Sequence, residues 1–213
     1  MLLHKEKHAE MEVYNDLNGE LVNLFKCVKY HPNAIQEELE LCLNSREIYN
    51  DYKELYKSSA LTDIQRAARY YYMIKASYGS KITSFGAKPR DISASEYLLK
   101  VKERLKDVII EHKDFEALIK HYDRPDTLFY CDPPYYGSEK LYDTSIGVFN
   151  DSQHVKLRNI LQNIKGKCII SYNKSDFIKN LYENFHINEI ERQNNMGARY
   201  GNKSYGEFII TNY

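Results

Sequence analysis

The chain has 213 residues, of which 43% are hydrophobic, and its 30 basic and 30 acidic residues give a formal net charge of zero. A chain of this length buries ~70–75% of its unfolded surface, which suits one α/β domain with an insertion or two small domains. No apolar run approaches the ~18 residues that cross a membrane, and the N-terminus turns charged after three residues. Neither a membrane span nor a secretion signal is therefore predicted.

The cysteines give a prediction about compartment and metal content. The chain has four of them, and no two form a Cys-x-x-Cys pair: Cys27, Cys42, Cys131 and Cys168. Each lies in an apolar segment. This pattern predicts reduced thiols in a cytoplasmic protein, with no metal site.

The first predicted strand ends on an acid. Residues 11–16 indicate a short strand ending at Asp16, and residues 17–29 carry apolar positions at helical spacing. In nucleotide-binding α/β folds, an acid in this place binds ribose hydroxyls, about 20 residues after a glycine-rich turn. Counting back that far from Asp16 passes Met1. A helix N-cap is the alternative role for Asp16.

Residues 31–107 are predicted to be mostly helical. Four segments carry helical patterns: 32–43, 46–57, 61–76 and 93–106. They interrupt the alternation of strands and helices and therefore predict an inserted helical subdomain. The run Tyr70–Tyr72 is predicted to pack inside it rather than to stack on bases.

Positive charge concentrates in the second half of this helical region. Residues 66–106 hold ten basic and three acidic residues. Such an excess is typical either of a phosphate-facing surface or of a solvated helical face. Residues 77–91 form a loop that combines glycine, serine, basic and aromatic residues, and loops of this kind often carry function.

The remaining elements return to strand and helix alternation. Residues 108–111 indicate a strand, Asp114 begins the next helix, and residues 128–131 indicate a second buried strand. After these come a helix, a strand, another helix and a pair of strands at the end of the sheet, predicted at 153–164, 166–171, 174–184, 187–191 and 207–212.

The four residues Asp132-Pro-Pro-Tyr135 leave the carboxyl end of the strand at 128–131. Consecutive prolines have no N–H for a ladder, so the strand must stop there, and open α/β sheets place ligand sites at such ends. The Asp132 carboxylate and the Pro133 carbonyl can each accept an N–H from an exocyclic amine, which draws the lone pair out of conjugation. Tyr135 would stack on the base, worth ~1–3 kcal/mol. The alternative is a plain surface turn.

This motif resembles that of the Dam-like DNA adenine-N6 methyltransferases, whose signature is Asp-Pro-Pro-Tyr. Tyr14-Asn-Asp-Leu-Asn18 and Asp114-Phe115 are similar to two further motifs of the family. The resemblance implies a Rossmann-like α/β sheet that binds S-adenosylmethionine, with a catalytic set of Asp132, Pro133, Pro134 and Tyr135. It also implies cofactor binding by Asp16, Asp114 and Asp132, and a bacterial or phage-encoded protein.

The resemblance implies double-stranded DNA as the partner. Residues 1–30 and 108–213 would form the catalytic domain, and residues 31–107 the helical target-recognition insertion. The family's usual Arg–Asn pair is not evident in this region. The residues expected to contact nucleic acid are instead Lys75, Tyr78, Lys81, Lys88, Arg90 and Tyr136.

The resemblance also exposes a difference. The family's first, central strand with its glycine-rich loop has no counterpart here, and the chain has no tryptophan. This leaves open a catalytically silent fragment, or one half of a split enzyme that needs a missing segment or a companion chain. A methyltransferase for RNA or protein amides is a lesser alternative, because Asp rather than Asn begins the motif.

Overall fold

The computed structural model describes residues 3, 5–55, 58, 60–80, 82–86, 91–93, 95–138, 147–193 and 204–213. The chain divides into two compact units, residues 1–113 and 114–213. Together they contain helices and two small sheets, so the protein is of mixed α/β class. Within the described residues, no helix combines the length and apolar character that crossing a membrane requires.

The first unit is mainly helical and contains one pair of strands. Its elements are β1 (Glu12–Asn15), α1 (Gly19–Tyr30), α2 (Pro32–Glu40), α3 (Arg46–Leu55), α4 (Asp63–Ala76), a 3₁₀ turn (Tyr78–Ser80), α5 (Ser95–Leu105) and β2 (Val108–Glu111). Strands β1 and β2 are parallel and in register from Glu12↔Val108 to Asn15↔Glu111. The predicted strands and helices of this region are thus present, with helix ends that differ by a few residues.

The core of the first unit lies among α1, α2, α4 and α5. Tyr70, Tyr71 and Tyr72 are each at most 6% exposed, which confirms that this run packs in the interior. The side chain of Asn18, rather than Asp16, caps α1 by accepting from the N–H groups of Glu20 and Leu21. Asp16 instead accepts from the Asn18 N–H at 2.8 Å, in a turn that leads into the helix.

The second unit is built on a four-stranded sheet of order β3-β4-β6-β5. Its elements are α6 (Phe115–Tyr122), β3 (Leu128–Cys131), α7 (Asp151–Leu161), β4 (Lys167–Asn173), α8 (Asp176–Leu181), β5 (His186–Gln193) and β6 (Ser204–Thr211). Strands β3 and β4 are parallel, with Cys131 opposite Ile170. Strand β6 runs antiparallel to both β4 and β5, which confirms the predicted pair at the end of the sheet.

One face of this sheet carries the core of the second unit. The inward side chains of β4 and β6 are almost fully buried and alternate along each strand, as a one-sided antiparallel pairing requires: Cys168, Ile170, Tyr172, Phe208 and Ile210. Helix side chains complete the cluster, among them Leu157, Leu161 and Ile178. The opposite face includes Tyr130, which is 45% exposed.

Tyr71 and Tyr72 provide a matched test of hydrogen bonding in the first core. The Tyr72 hydroxyl lies 2.8 Å from the Leu43 carbonyl oxygen and accepts from the Ser45 N–H at 3.2 Å. The buried Tyr71 hydroxyl has no hydrogen-bond partner among the described residues. We expect Tyr72→Phe to lower the free energy of unfolding by about 1–3 kcal/mol, because it leaves backbone groups unpaired. Tyr71→Phe should be neutral or slightly stabilising. Urea denaturation measures the unfolding free energy of both variants. Equal losses of stability in the two variants would contradict the difference in hydrogen bonding.

The buried carboxylate of Glu12 provides a pH-dependent test. Glu12 is 8% exposed and forms ion pairs with Lys5 and Arg104, each at 2.7 Å. Burial works to raise its pKa, but hydrogen bonds from Lys5 and Arg104 outweigh burial and hold the pKa at about 2. A folded-state pKa below the usual 4.5 stabilises the fold above that pH, and this contribution is lost as the pH falls toward 2.

Glu12→Gln should therefore destabilise the protein by about 1–3 kcal/mol near neutral pH, where it removes the charge that pairs with Arg104. The difference in unfolding free energy between the variant and the parent should become smaller as the pH falls below the usual carboxyl pKa. Urea denaturation at several pH values measures it, and a difference independent of pH would show that the charge of Glu12 does not stabilise the fold.

Candidate active site

The motif predicted to be catalytic comes directly after β3. Cys131 is the last residue of the strand, and no regular structure continues through residues 132–135. Asp132 is exposed, Pro133 is buried, and Pro134 and Tyr135 are half-buried. The Ser138 N–H donates to the Tyr135 carbonyl at 2.9 Å, so the segment bends at once after the motif. The rigid prolines thus hold a carboxylate in solvent at the carboxyl end of a parallel strand.

Three side chains from β4 and β6 hold this segment at three successive points. The Ser171 hydroxyl donates to Asp132 Oδ1 at 2.8 Å, and the Tyr135 hydroxyl donates to Glu207 Oε1 at 3.1 Å. The amide nitrogen of Asn173 donates to the Tyr136 carbonyl at 2.9 Å. Asn173 and Glu207 face each other across the β4–β6 ladder. From the sequence, Ser171-Tyr-Asn173 resembles a further element of the family, but no role could be assigned to Ser171, Asn173 or Glu207, because only the strand register brings them to the motif.

The ring of Tyr136 belongs to an aromatic cluster of the second unit. It stacks on Phe177 with centroids 4.2 Å apart and an interplanar angle of 13°. It also meets the edge of His154 at 5.6 Å, and the Nδ1 of that fully buried histidine lies 2.8 Å from the Tyr172 hydroxyl. The half-buried Tyr136 ring is thus already engaged in packing, and its predicted contact with nucleic acid stays untested.

The thiol beside the motif is unsuited to covalent catalysis. Burial raises the pKa of Cys131 to about 12, with smaller contributions from Cys168 and Asp132. A thiol with this pKa stays protonated near neutral pH, and the thiolate is the nucleophilic form. The segment can therefore accept hydrogen bonds through Asp132 and Pro133, but Cys131 does not supply a nucleophile.

The other two acids predicted to bind cofactor have well-defined partners. Asp16 is half-buried, and its Oδ2 accepts from the Tyr14 hydroxyl at 3.0 Å. Burial, together with the Asp16 carboxylate, raises the pKa of Tyr14 far above its usual value, so this hydroxyl keeps its proton and remains a donor. Asp114 is exposed and caps α6, accepting from the Glu116 N–H at 2.9 Å.

Two of the residues predicted to contact nucleic acid lie where α4 ends. Lys75 Nζ is 5.7 Å from the ring centroids of both Tyr71 and Tyr97. Tyr78 is 52% exposed, just after a bridge between Ser77 and Phe85 that brings the two ends of a short loop together. Lys81, Lys88 and Arg90 lie outside the described residues.

Part of the positive charge in this region is used inside the first unit. Arg66 pairs with the buried Glu20 and with Asp63, the latter at 3.2 Å. Arg104 pairs with Glu12. These two arginines therefore form ion pairs within the first unit. The excess of positive charge that remains available to a phosphate backbone is smaller than the count of basic residues in the sequence suggests.

Groups of this kind define a class of site that can accept hydrogen bonds from an amine. A carboxylate and a proline carbonyl stand at the end of a parallel strand, an aromatic ring comes next in the chain, and the adjacent thiol is protonated. Such a set can accept hydrogen bonds from both N–H groups of an amine, while the amine nitrogen stays available as the nucleophile.

Comparison with known proteins agrees with this class. Residues 1–196 match the family described as D12 class N6 adenine-specific DNA methyltransferase. The chain belongs to this family, and the resemblance predicted from its motifs is confirmed. It is thus an enzyme of a family that uses S-adenosylmethionine to methylate N6 of adenine in DNA.

Three similar proteins carry methyltransferase names. Type II methyltransferase M.CviBI of Paramecium bursaria Chlorella virus NC1A is 26% identical over 89% of this chain and 75% of its own length. Type II methyltransferase M1.LlaDCHI of Lactococcus lactis subsp. cremoris is 28% identical over 98% of this chain and 81% of its own length. The Retron Ec67 DNA adenine methylase of Escherichia coli is 24% identical over 92% of this chain and 73% of its own length. These likenesses do not favour the catalytically silent alternative.

Asn173 tests whether β4 holds the motif in place. Asn173→Ala removes the donor to the Tyr136 carbonyl, so we expect a loss of about 0.5–1.5 kcal/mol in unfolding free energy and faster proteolysis near residues 136–138. The exposed Asn180 on α8 is the matched control, since Asn180→Ala should change neither quantity. Urea denaturation and limited proteolysis with mass spectrometry measure the effects. Equal behaviour of the two variants would remove Asn173 from this role.

Proposed function

We propose that this member of the family transfers the methyl group directly to N6 of an adenine turned out of the DNA duplex, and that residues 132–135 hold that base. The observation that carries the proposal is the exposed Asp132 carboxylate, fixed at the carboxyl end of β3 beside the rigid Pro133. Turning a base out of the stack costs a few kcal/mol. Stacking on Tyr135 offsets part of that cost, at ~1–3 kcal/mol.

The chemistry of the amine explains why these groups suit the reaction. The N6 lone pair is delocalised into the adenine ring and is a poor nucleophile. When Asp132 and the Pro133 carbonyl each accept one N–H, the nitrogen becomes pyramidal and its lone pair can point at an electrophile. Because both acceptors are held before the base arrives, little reorganisation is needed. No covalent intermediate on the protein is required.

The acids of the chain fit the cofactor by their donor and acceptor chemistry. S-adenosylmethionine supplies an electrophilic methyl group on a sulfonium. Each Asp16 oxygen accepts one hydrogen bond, from Tyr14 and from the Asn18 N–H, and retains capacity to accept from ribose hydroxyls. The exposed Asp114 can accept from the adenine amino group of the cofactor, and Asp132 is the third acid of the proposed set.

DNA contacts are proposed for the helical part of the chain. Lys75 and the exposed Tyr78 lie close together in sequence at the end of α4, and Lys81, Lys88 and Arg90 follow them in the sequence. Basic groups of this kind neutralise phosphates and give a salt-dependent affinity. The division into a catalytic domain (1–30 and 108–213) and a target-recognition insertion (31–107) stays a prediction, as does the Rossmann-like order of the strands.

The decisive experiment compares the parent with Asp132→Ala. Mass spectrometry of digested DNA should detect N6-methyladenine after incubation of the parent with S-adenosylmethionine and DNA. Asp132→Ala should lower kcat at least ~100-fold, because it removes an acceptor aimed at the reacting amine, while DNA affinity stays within about threefold of the parent.

Asp126→Ala is the matched control, since Asp126 is an exposed acid in the turn before β3 and lies outside the motif. It should keep the parent kcat. Methylation of cytosine N4 or of RNA alone would reject the proposed substrate. Substantial turnover by Asp132→Ala would reject the role of Asp132.

A further inference from the structure

The side chain of Ser171 is the nearest partner that the structure gives to the proposed catalytic carboxylate. Ser171 lies on β4, one position beyond the last register pair of β3 and β4, Cys131↔Ile170. It is therefore beside Asp132, the first residue after β3. Ser171 is 5% exposed, and its hydroxyl donates to Asp132 Oδ1 at 2.8 Å. A buried hydroxyl thus meets an exposed carboxylate at the rim of the sheet.

A second hydroxyl stands behind Ser171. The Tyr130 hydroxyl lies 3.3 Å from Ser171 Oγ. A serine hydroxyl has one proton and two acceptor lone pairs. Because that proton goes to the carboxylate, which can only accept, the Tyr130 hydroxyl must be the donor in the contact with Ser171. The order of donation is therefore Tyr130 to Ser171 to Asp132.

We infer that Ser171 is a positioning residue for methyl transfer, and that Tyr130 acts on the reaction only through Ser171. The inference rests on the proposed function, since it assigns how Asp132 is held for the target amine. Ser171 fixes the rotamer of Asp132 through one carboxylate oxygen and leaves the second oxygen to accept an N–H from the amine. Tyr130 polarises the Ser171 hydroxyl and fixes the direction of its proton.

This role has a specific kinetic consequence. An exposed aspartate without such a partner samples several rotamers, and only one of them aims an oxygen at a bound amine. The loss of Ser171 should therefore appear in the chemical step rather than in binding. Ser171 touches no part of the substrate in this scheme, so the affinities for DNA and S-adenosylmethionine should remain near those of the parent.

The test measures kcat and KM for adenine methylation in four variants and one control variant. Ser171→Ala should lower kcat by about 10- to 100-fold, as expected for loss of one hydrogen bond to a charged group. Both KM values should stay within about threefold of the parent. Ser171→Thr keeps the hydroxyl and should restore kcat to within about fivefold of the parent. Each kcat is divided by the active fraction from S-adenosylmethionine titration, so a folding defect cannot imitate the effect.

Variants of Tyr130 form the second part of the test. Tyr130 is 45% exposed, so Tyr130→Phe should fold normally and lower kcat by about two- to fivefold. The double variant Ser171→Ala/Tyr130→Phe should be no slower than Ser171→Ala, because Tyr130 has no route to Asp132 without Ser171. Ser152→Ala is the control, since the exposed Ser152 hydroxyl contacts Asn150 at the start of α7 and should leave kcat unchanged.

The outcomes separate this inference from the proposed function. A parent that forms no N6-methyladenine overturns the proposed function and the inference with it. A parent that methylates adenine and loses activity with Asp132→Ala, but not with Ser171→Ala, overturns the inference alone. Fully additive losses from Tyr130→Phe and Ser171→Ala, or no rescue by Ser171→Thr, would also overturn it.

Discussion

The parallel pairing of β3 with β4 is the constraint on which the site depends. Its register sets Cys131 opposite Ile170, and the two prolines after Asp132 end the ladder at that point. The strand β4 continues past this end for three more residues, Ser171 to Asn173. Those residues extend beyond the end of β3 and are available to hold the segment that leaves it. The site therefore forms where β3 ends and the neighbouring strand β4 continues.

Strand β6 also helps to hold the segment that follows β3. Strand β6 pairs with the extended end of β4, and the pair Asn173↔Glu207 brings an acid to the Tyr135 hydroxyl. Three hydrogen bonds then fix a carboxylate, a ring and a backbone carbonyl in sequence. The bond to the Tyr136 carbonyl contributes about 1 kcal/mol net, and each of the two bonds to a carboxylate about 1.5–3 kcal/mol. Together they order a segment that has no ladder of its own. Preorganisation of this kind limits reorganisation during the reaction.

Much of the fold could be predicted from the sequence because its signals are local. Short apolar runs located the strands that the structure describes, and the double proline located the end of β3. Capping was less certain: Asp16 and Asn18 both suit a helix start, and only the structure shows that Asn18 caps α1. The pairs Ser171–Asp132 and Glu207–Tyr135 span 39 and 72 residues. They depend on strand order and register, which no local pattern encodes.

The sequence count of basic residues was also a poor guide to surface charge. Arg66 and Arg104 lie in the basic stretch, yet both are half-buried and pair with buried acids. A count cannot separate a guanidinium that faces solvent from one that neutralises a core carboxylate. The motif residues, in contrast, were found because their chemistry requires a fixed spacing along the chain.

The stacking of Tyr136 on Phe177 has a practical consequence for observing the site. The chain contains 20 tyrosines and no tryptophan, so its ultraviolet emission comes from tyrosine alone. An indole placed at position 177 would be a unique fluorophore in contact with the residue immediately after the motif proposed to be catalytic. Because Tyr136 and Phe177 lie 4.2 Å apart and nearly coplanar, small displacements of the turn would change the quenching of that indole. The aromatic cluster thus offers an optical reporter of how the motif moves when a base or a cofactor arrives.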